Sequence, residues 1–183
     1  MRKYLYLLPL LFLGYTAQAQ GPDALAAYNL QQDETLRIGM IVLGGWAIGN
    51  IAVASFQLTR VSRTKRHFYQ MNLYWNIVNL IIAGAALGFI LSDDATARSL
   101  AESVRLLSWH KKILYLGVGL DIGFIILGNY LKTRSKVSYK VEQLLGWGQS
   151  IVLQGTFLFF LDLVLVVLLE LSSDQLFRLI PQV

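Results

Sequence analysis

The chain contains no cysteine. Disulfides, thiolate metal sites and dithiol redox chemistry are therefore excluded. Charge is also scarce: charged residues make up 15% of 183, where a soluble domain usually holds about a quarter. There are two histidines, His67 and His110, and the threading derived below sets them at opposite membrane faces. They cannot share a haem or a metal ion. No Ser–His pair shares a depth, and no Gly-rich phosphate loop follows a strand. The enzyme classes that rely on these groups have nothing to work with, and no cofactor is expected. The net charge of +5 points to no nucleic acid, because its distribution along the chain has another explanation.

Apolar residues, by contrast, make up 55% of the chain. They fall into four runs, at about residues 38–58, 73–91, 113–131 and 151–171. Each is long enough to cross a hydrocarbon core of ~30 Å at ~1.5 Å per residue. A chain of this length cannot wrap four such helices in water, so the runs read as membrane spans.

The amino terminus reads as a delivery signal. Arg2 and Lys3 give a basic start, Tyr4–Gly14 is apolar but too short to span, and Ala17-Gln18-Ala19 supplies the small-x-small cleavage pattern. Residues 1–19 are expected to be a signal peptide, with 20–183 as a single membrane domain. An uncleaved anchor is the alternative. If Gln20 starts outside, loops 59–72 and 132–150 are cytoplasmic. They carry Arg60, Arg63, Lys65, Arg66, Lys132, Arg134, Lys136 and Lys140 against one acid, Glu142. Lys and Arg favour the cytoplasmic side of short loops, so signal and charge agree on a bacterial inner-membrane protein with both termini periplasmic. The basic loops serve as topology determinants beside anionic lipid, or dock an acidic partner. Lys111 and Lys112 dissent on the outer side, and snorkelling to headgroups would accommodate them.

Three outer segments read as short amphipathic surface helices. They are Pro22–Thr35, the stretch Ser92–His110 capped by Ser92, Asp93 or Asp94, and a tail helix capped at Ser172-Ser173-Asp174. A faint repeat relates the halves. At a shift of 74, Gly45 and Gly49 meet Gly119 and Gly123, as parallel repeats would.

Helix faces sharpen the picture. Gly45-x-x-x-Gly49, Gly84-x-x-x-Gly88 and Gly119-x-x-x-Gly123 have the spacing that lets membrane helices approach closely. They are expected to tighten the bundle or to join two copies. Asn72, Asn76 and Asn79 share one stripe of the second run, and Trp46 and Asn50 share one in the first. Asp121 sits mid-run in the third, and Gln154 and Asp162 lie in the fourth. Asn50, Asn79, Gln154 and Asp121 fall in one layer of the inner half, with Asp162 further out. Lipid cannot satisfy amides or carboxylates, so these side chains should converge inward. For the amides, interhelical hydrogen-bond glue is one role and a binding layer is the other. With no Lys or Arg at their depth, the aspartates must be neutralised by a proton, solvated by a cavity or paired with a cation. As an aspartyl hydrolase pair they would need to share a depth, and they do not.

The strings MNLYWNIVN (Met71–Asn79) and QGTFLFFLD (Gln154–Asp162) resemble motifs of a family of uncharacterised bacterial four-span inner-membrane proteins with a cleavable signal peptide. The resemblance covers nearly all of the mature chain. It implies the four-span fold and marks Asn72, Trp75, Asn76, Asn79, Gln154, Gly155 and Asp162 as motif positions. It implies no substrate.

The fold expected is an all-α four-transmembrane-helix bundle built as two hairpins, with short interfacial helices on the periplasmic side. The candidate polar site is Asn50, Asn72, Asn76, Asn79, Asp121, Gln154 and Asp162, with no metal. Two functions stay open: a carrier or binding protein for a small solute, proton or cation, or a structural or accessory subunit held together by its polar core. The lipid bilayer is the expected partner. A membrane complex or a second copy is the further expectation.

Overall fold

A computed structural model describes residues 22–180. The expected signal peptide, residues 1–19, lies outside the described residues. Four helices carry the fold: α1 (Pro22–Gln57), α2 (Arg63–Ser92), α3 (Leu100–Ser135) and α4 (Val141–Phe177), with a 3-10 turn at Ala95–Ala97 between α2 and α3. There is no strand among the described residues. Each of the four helices is long and apolar enough to cross a membrane. At 30 to 37 residues they run roughly 45–55 Å, well beyond the ~30 Å of a hydrocarbon core.

That excess length corrects three expectations. Residues 22–35 form no separate surface helix but are the first turns of α1. Nothing between Thr35 and Ile38 breaks the helix, and Tyr28 and Leu36 continue its buried face. Residues 100–110 likewise belong to α3, which starts at Ser99 and not at Ser92, Asp93 or Asp94. The Ser99 hydroxyl accepts from the Glu102 amide while the Glu102 carboxylate accepts from the Ser99 amide, a reciprocal capping box. Asp94 caps only the 3-10 turn, and its two bonds from Thr96, hydroxyl and amide, hold its carboxyl below the usual range. At the tail, Ser172 and Ser173 do not start a new helix. Their hydroxyls donate back to the Leu169 and Glu170 carbonyls, so α4 continues through them.

The most-contacted helix is α4, which packs on α1, α2 and α3, while α1 also packs on α2. The loops at 58–62 and 136–140 share one end of the bundle. There Gly146 of α4 lies against the α2 backbone at Thr64 and Phe68. This is called the basic end below, and the end holding Ala95–Ala97 the far end. The two halves pack differently. Towards the far end a leucine-rich core fills the bundle, with Leu107 and Leu114 of α3 against Leu165, Leu169 and Leu176 of α4 and Leu36 of α1. Towards the basic end, backbones approach closely at Gly128, Gly146, Gly148 and Gly155.

The glycines singled out by spacing are not these. A Cβ at Gly45, Gly49, Gly84, Gly88, Gly119 or Gly123 would meet nothing within 4 Å. The three one-turn glycine pairs face away from the bundle and do not tighten it. The motif reports small residues on one helix face, and it carries no information about which neighbour that face meets.

Candidate functional site

Between the two halves lies a polar layer. The Trp46 indole N–H donates to Gln154 Oε1 at 2.9 Å, and its ring stacks on Phe157 with centroids 4.0 Å apart. This ties α1 to α4. Asn72 Nδ2 donates to Asn50 Oδ1 at 3.1 Å, and Asn76 Nδ2 donates to both the side chain and the carbonyl of Asn72 at 2.8 Å. That chain ties α2 to α1. Asn72, Asn76, Asn79, Asp121 and Gln154 are all buried, while Asn50 and Asp162 are half-buried.

The layer is not closed by its own hydrogen bonds. Asn76 Oδ1, Asn79 Nδ2, Asp121 Oδ2, Ser150 Oγ and Gln154 Nε2 are buried and have no hydrogen-bond partner among the described residues. Each such group costs about 1–3 kcal/mol relative to a satisfied one. Both donors and acceptors are present among these unpaired atoms. No cluster of three or more His, Asp or Glu suited to a metal occurs among the described residues.

The two aspartates are closer than their separation in sequence suggests. Asp162 turns its carboxyl onto the α3 backbone at Gly117, where a Cβ would collide with it. Asp121 is one turn further along the same face, opposite Gly155 of α4. The α3–α4 seam thus stacks two carboxyls, Asp121 buried and Asp162 above it towards the far end.

Above the layer opens a cleft of about 810 Å³. It exists because α2 and α3 both pack on α4 but scarcely on each other. Below it, Trp75 of α2 meets Phe124 of α3 edge-on, with centroids 4.6 Å apart, and bridges the gap. The walls are apolar: Met40 and Leu43 from α1, Ile82 and Ile90 from α2, Leu114 from α3, Leu158 from α4. Ile82, Phe89, Trp109 and Ile113 line the cleft and are also exposed on the bundle surface, so it opens sideways. Polar groups sit at its two ends. Asn79 and Asp162 lie at the base, and Arg105 and His110 lie towards the far end. Along α3 the lining from Arg105 to Gly117 spans roughly 18 Å. Asp121 and Gln154 do not line the cleft. They lie deeper.

The far end is closed by charge. Arg98 forks onto Asp33 of α1, Nη1 to Oδ1 at 2.8 Å and Nη2 to Oδ2 at 2.7 Å, and its Nε donates to Asp93 at 2.8 Å. Its side chain is 7% exposed and that of Asp33 is 13% exposed. Burial opposes the charge on Arg98, yet the bonds to Asp33 and Asp93 outweigh it and raise its pKa above the ordinary guanidinium value. Beside this fork, Asn29 donates to the Ala95 carbonyl and Gln32 pairs with His110 at 3.2 Å. The connection between α2 and α3 is thereby strapped across the end of α1. Lys111 donates to Glu170 at 2.7 Å, and Tyr115 donates to the same carboxylate.

A family described as being of unknown function, DUF6992, matches residues 42–163, well over half of the chain. The chain belongs to DUF6992. No match is found among curated proteins or among solved structures. The DUF6992 region holds all seven candidate polar residues, from Asn50 to Asp162, and also Arg98, Arg105, Trp109 and His110. Asn29, Gln32 and Asp33 precede it.

The last three residues, with Arg98 and His110, are what sequence reasoning missed. The sequence reading gives no role to Asp33 or Arg98 and takes Asp93 only as a candidate cap. The signal was present in the first of these segments. Asn29, Gln32 and Leu36 recur at helical spacing and continue the face of Leu43 and Ala47, which argues for one long helix with a polar, buried stretch near its start.

Proposed function

We propose that this chain is an integral membrane protein that binds a small, mostly apolar molecule, taken from the bilayer through the gap between α2 and α3. The observation that carries this reading is the cleft itself. Its volume of about 810 Å³ lies within the range of small-molecule sites, and such sites are apolar with a few convergent polar groups. Its mouth is rimmed by exposed Ile82, Phe89, Trp109 and Ile113, residues that lie at ease against lipid. Asn79 and Asp162 at the base supply the polar groups that fix orientation. The buried layer beneath would serve as the next station if the bound molecule is carried further.

A second reading is supported by the hydrogen bonds from Trp46 to Gln154 and from Asn72 to Asn50. These are interhelical glue, as a structural or accessory subunit would need. For the orientation we propose the one the basic loops favour: residues 59–72 and 132–150 cytoplasmic, both termini on the opposite side of a bacterial inner membrane.

The test is saturable binding of a neutral, polarity-sensitive lipophilic dye to purified protein in nanodiscs, with empty discs as background. Wild type should saturate. Ala86→Trp, which fills the cleft from α2, should abolish the saturable component while the melting temperature stays within a few degrees. Equal binding by Ala86→Trp, or no saturable component in wild type, would remove the cleft as a ligand site.

A further inference from the structure

We infer that the cleft selects lipophilic monocations, with the cationic group held by Asp162 and the apolar body lying between α2 and α3. This rests on the cleft-binding reading above and names the ligand class for that same site.

The inference starts from how charge is distributed along the cleft. Asp162 is the one acid lining it. Its carboxyl forms no salt bridge and no hydrogen bond among the described residues, whereas Asp33, Asp93 and Glu170 all have cationic partners. The basic residues that line the cleft, Arg105 and His110, lie twelve and seven positions from Gly117 along α3. That is roughly 18 and 10 Å away at helical rise. They are too far to pair with Asp162. His110 is already engaged by Gln32.

Asp121 strengthens the bias. It is one turn deeper, 3% exposed, with an oxygen that has no partner among the described residues. Two carboxyls and no cation share one apolar seam, and whichever of them is ionised makes the base of the cleft negative in a low-dielectric setting, where fields are strong. An anionic ligand would be repelled there. A neutral hydrophobe would gain from the walls but leave Asp162 unpaired. A monocation with an apolar body gains from both, because carboxylates inside a membrane are stabilised by a paired cation.

Gly117 is the positioning residue. The missing Cβ lets the Asp162 carboxyl rest against the α3 backbone, facing the cleft. Alanine there would displace the carboxyl without removing its charge.

The experiment measures tritiated tetraphenylphosphonium bound to the full chain on scintillation beads, beside the neutral dye already described. Wild type should bind the cation saturably and more tightly than the neutral dye. In Asp162→Asn the ratio of cation to neutral affinity should fall at least about tenfold. Asp162→Glu should restore most of it, and Gly117→Ala should lower it to an intermediate value. If the neutral dye saturates but the cation does not, or Asp162→Asn keeps the wild-type ratio, the ligand class is wrong and the cleft reading survives. If the neutral dye does not saturate, the cleft reading falls and the ligand class falls with it.

Discussion

Arg98→Ala should destabilise the protein by about 3–5 kcal/mol, the usual cost of removing one partner from a buried ion pair. The substitution strands Asp33, whose side chain is 13% exposed and receives two of the three Arg98 bonds. It also frees Asp93, and with it the strap that holds the 3-10 turn over the end of α1. Lysine should recover only part of the loss, since a point charge cannot reproduce a planar fork. The double variant Arg98→Ala/Asp33→Ala should be less damaged than the sum of its single changes, because no unpaired carboxylate remains. Thermal unfolding in detergent, followed by far-UV circular dichroism, reads all five proteins, Asp33→Ala included. Equal stability of Arg98→Ala and wild type would mean that the fork is not formed in the folded state.

Alanine at Gly128 or Gly148 should cost about 1–3 kcal/mol by overpacking, and the two effects should not add. A Cβ at Gly148 would lie 2.6 Å from the Gly128 carbonyl oxygen and 3.0 Å from the Lys132 nitrogen. One at Gly128 would lie 2.7 Å from the Gly148 carbonyl oxygen and 2.9 Å from the Val152 nitrogen. These are backbone atoms, which cannot move without separating α3 from α4. The opposite result is expected at Gly45, Gly49, Gly84, Gly88, Gly119 and Gly123. With nothing within 4 Å, alanine there should be neutral, or stabilising by up to about 1 kcal/mol through helix propensity. Unfolding titrations in SDS distinguish the two sets. A loss at Gly45 or Gly119 that grows with protein concentration would show instead that these outward faces join two copies.

Those glycines show what a sequence can and cannot convey. The four long apolar helices were legible because a hydrocarbon core demands a run of fixed length and tolerates few charges. The inward turn of Asn72, Asn76, Asn79, Asp121 and Gln154 was legible for the same reason, since lipid offers amides and carboxylates no partner. Helix ends were not. Ser172 and Ser173 look like caps until their hydroxyls are seen bonding backwards, and Asp93 looks like a cap until it is seen holding Arg98. Close packing was not legible either, because the one-turn glycine spacing recurs on faces that meet nothing, while the contacts use Gly146 and Gly148, two residues apart. The cleft was the least legible feature. It is set by which helices scarcely pack, α2 against α3, and no residue pattern on a single helix announces that. Its acid was visible as Asp162, but its neighbour Gly117 gains meaning only when α3 and α4 are laid side by side.

The absence of native cysteines permits a direct test of whether the polar groups of α3 and α4 meet inside the bundle. In a Gly117→Cys/Asp162→Cys double variant in membranes, oxidised with a membrane-permeant catalyst, the two thiols should form an intramolecular disulfide in most molecules. An otherwise identical Gly119→Cys/Asp162→Cys variant should stay reduced, because residue 119 faces away from the bundle. Failure of the 117–162 pair to join while the 119–162 pair does would contradict the account by setting residue 162 against the outward face of α3.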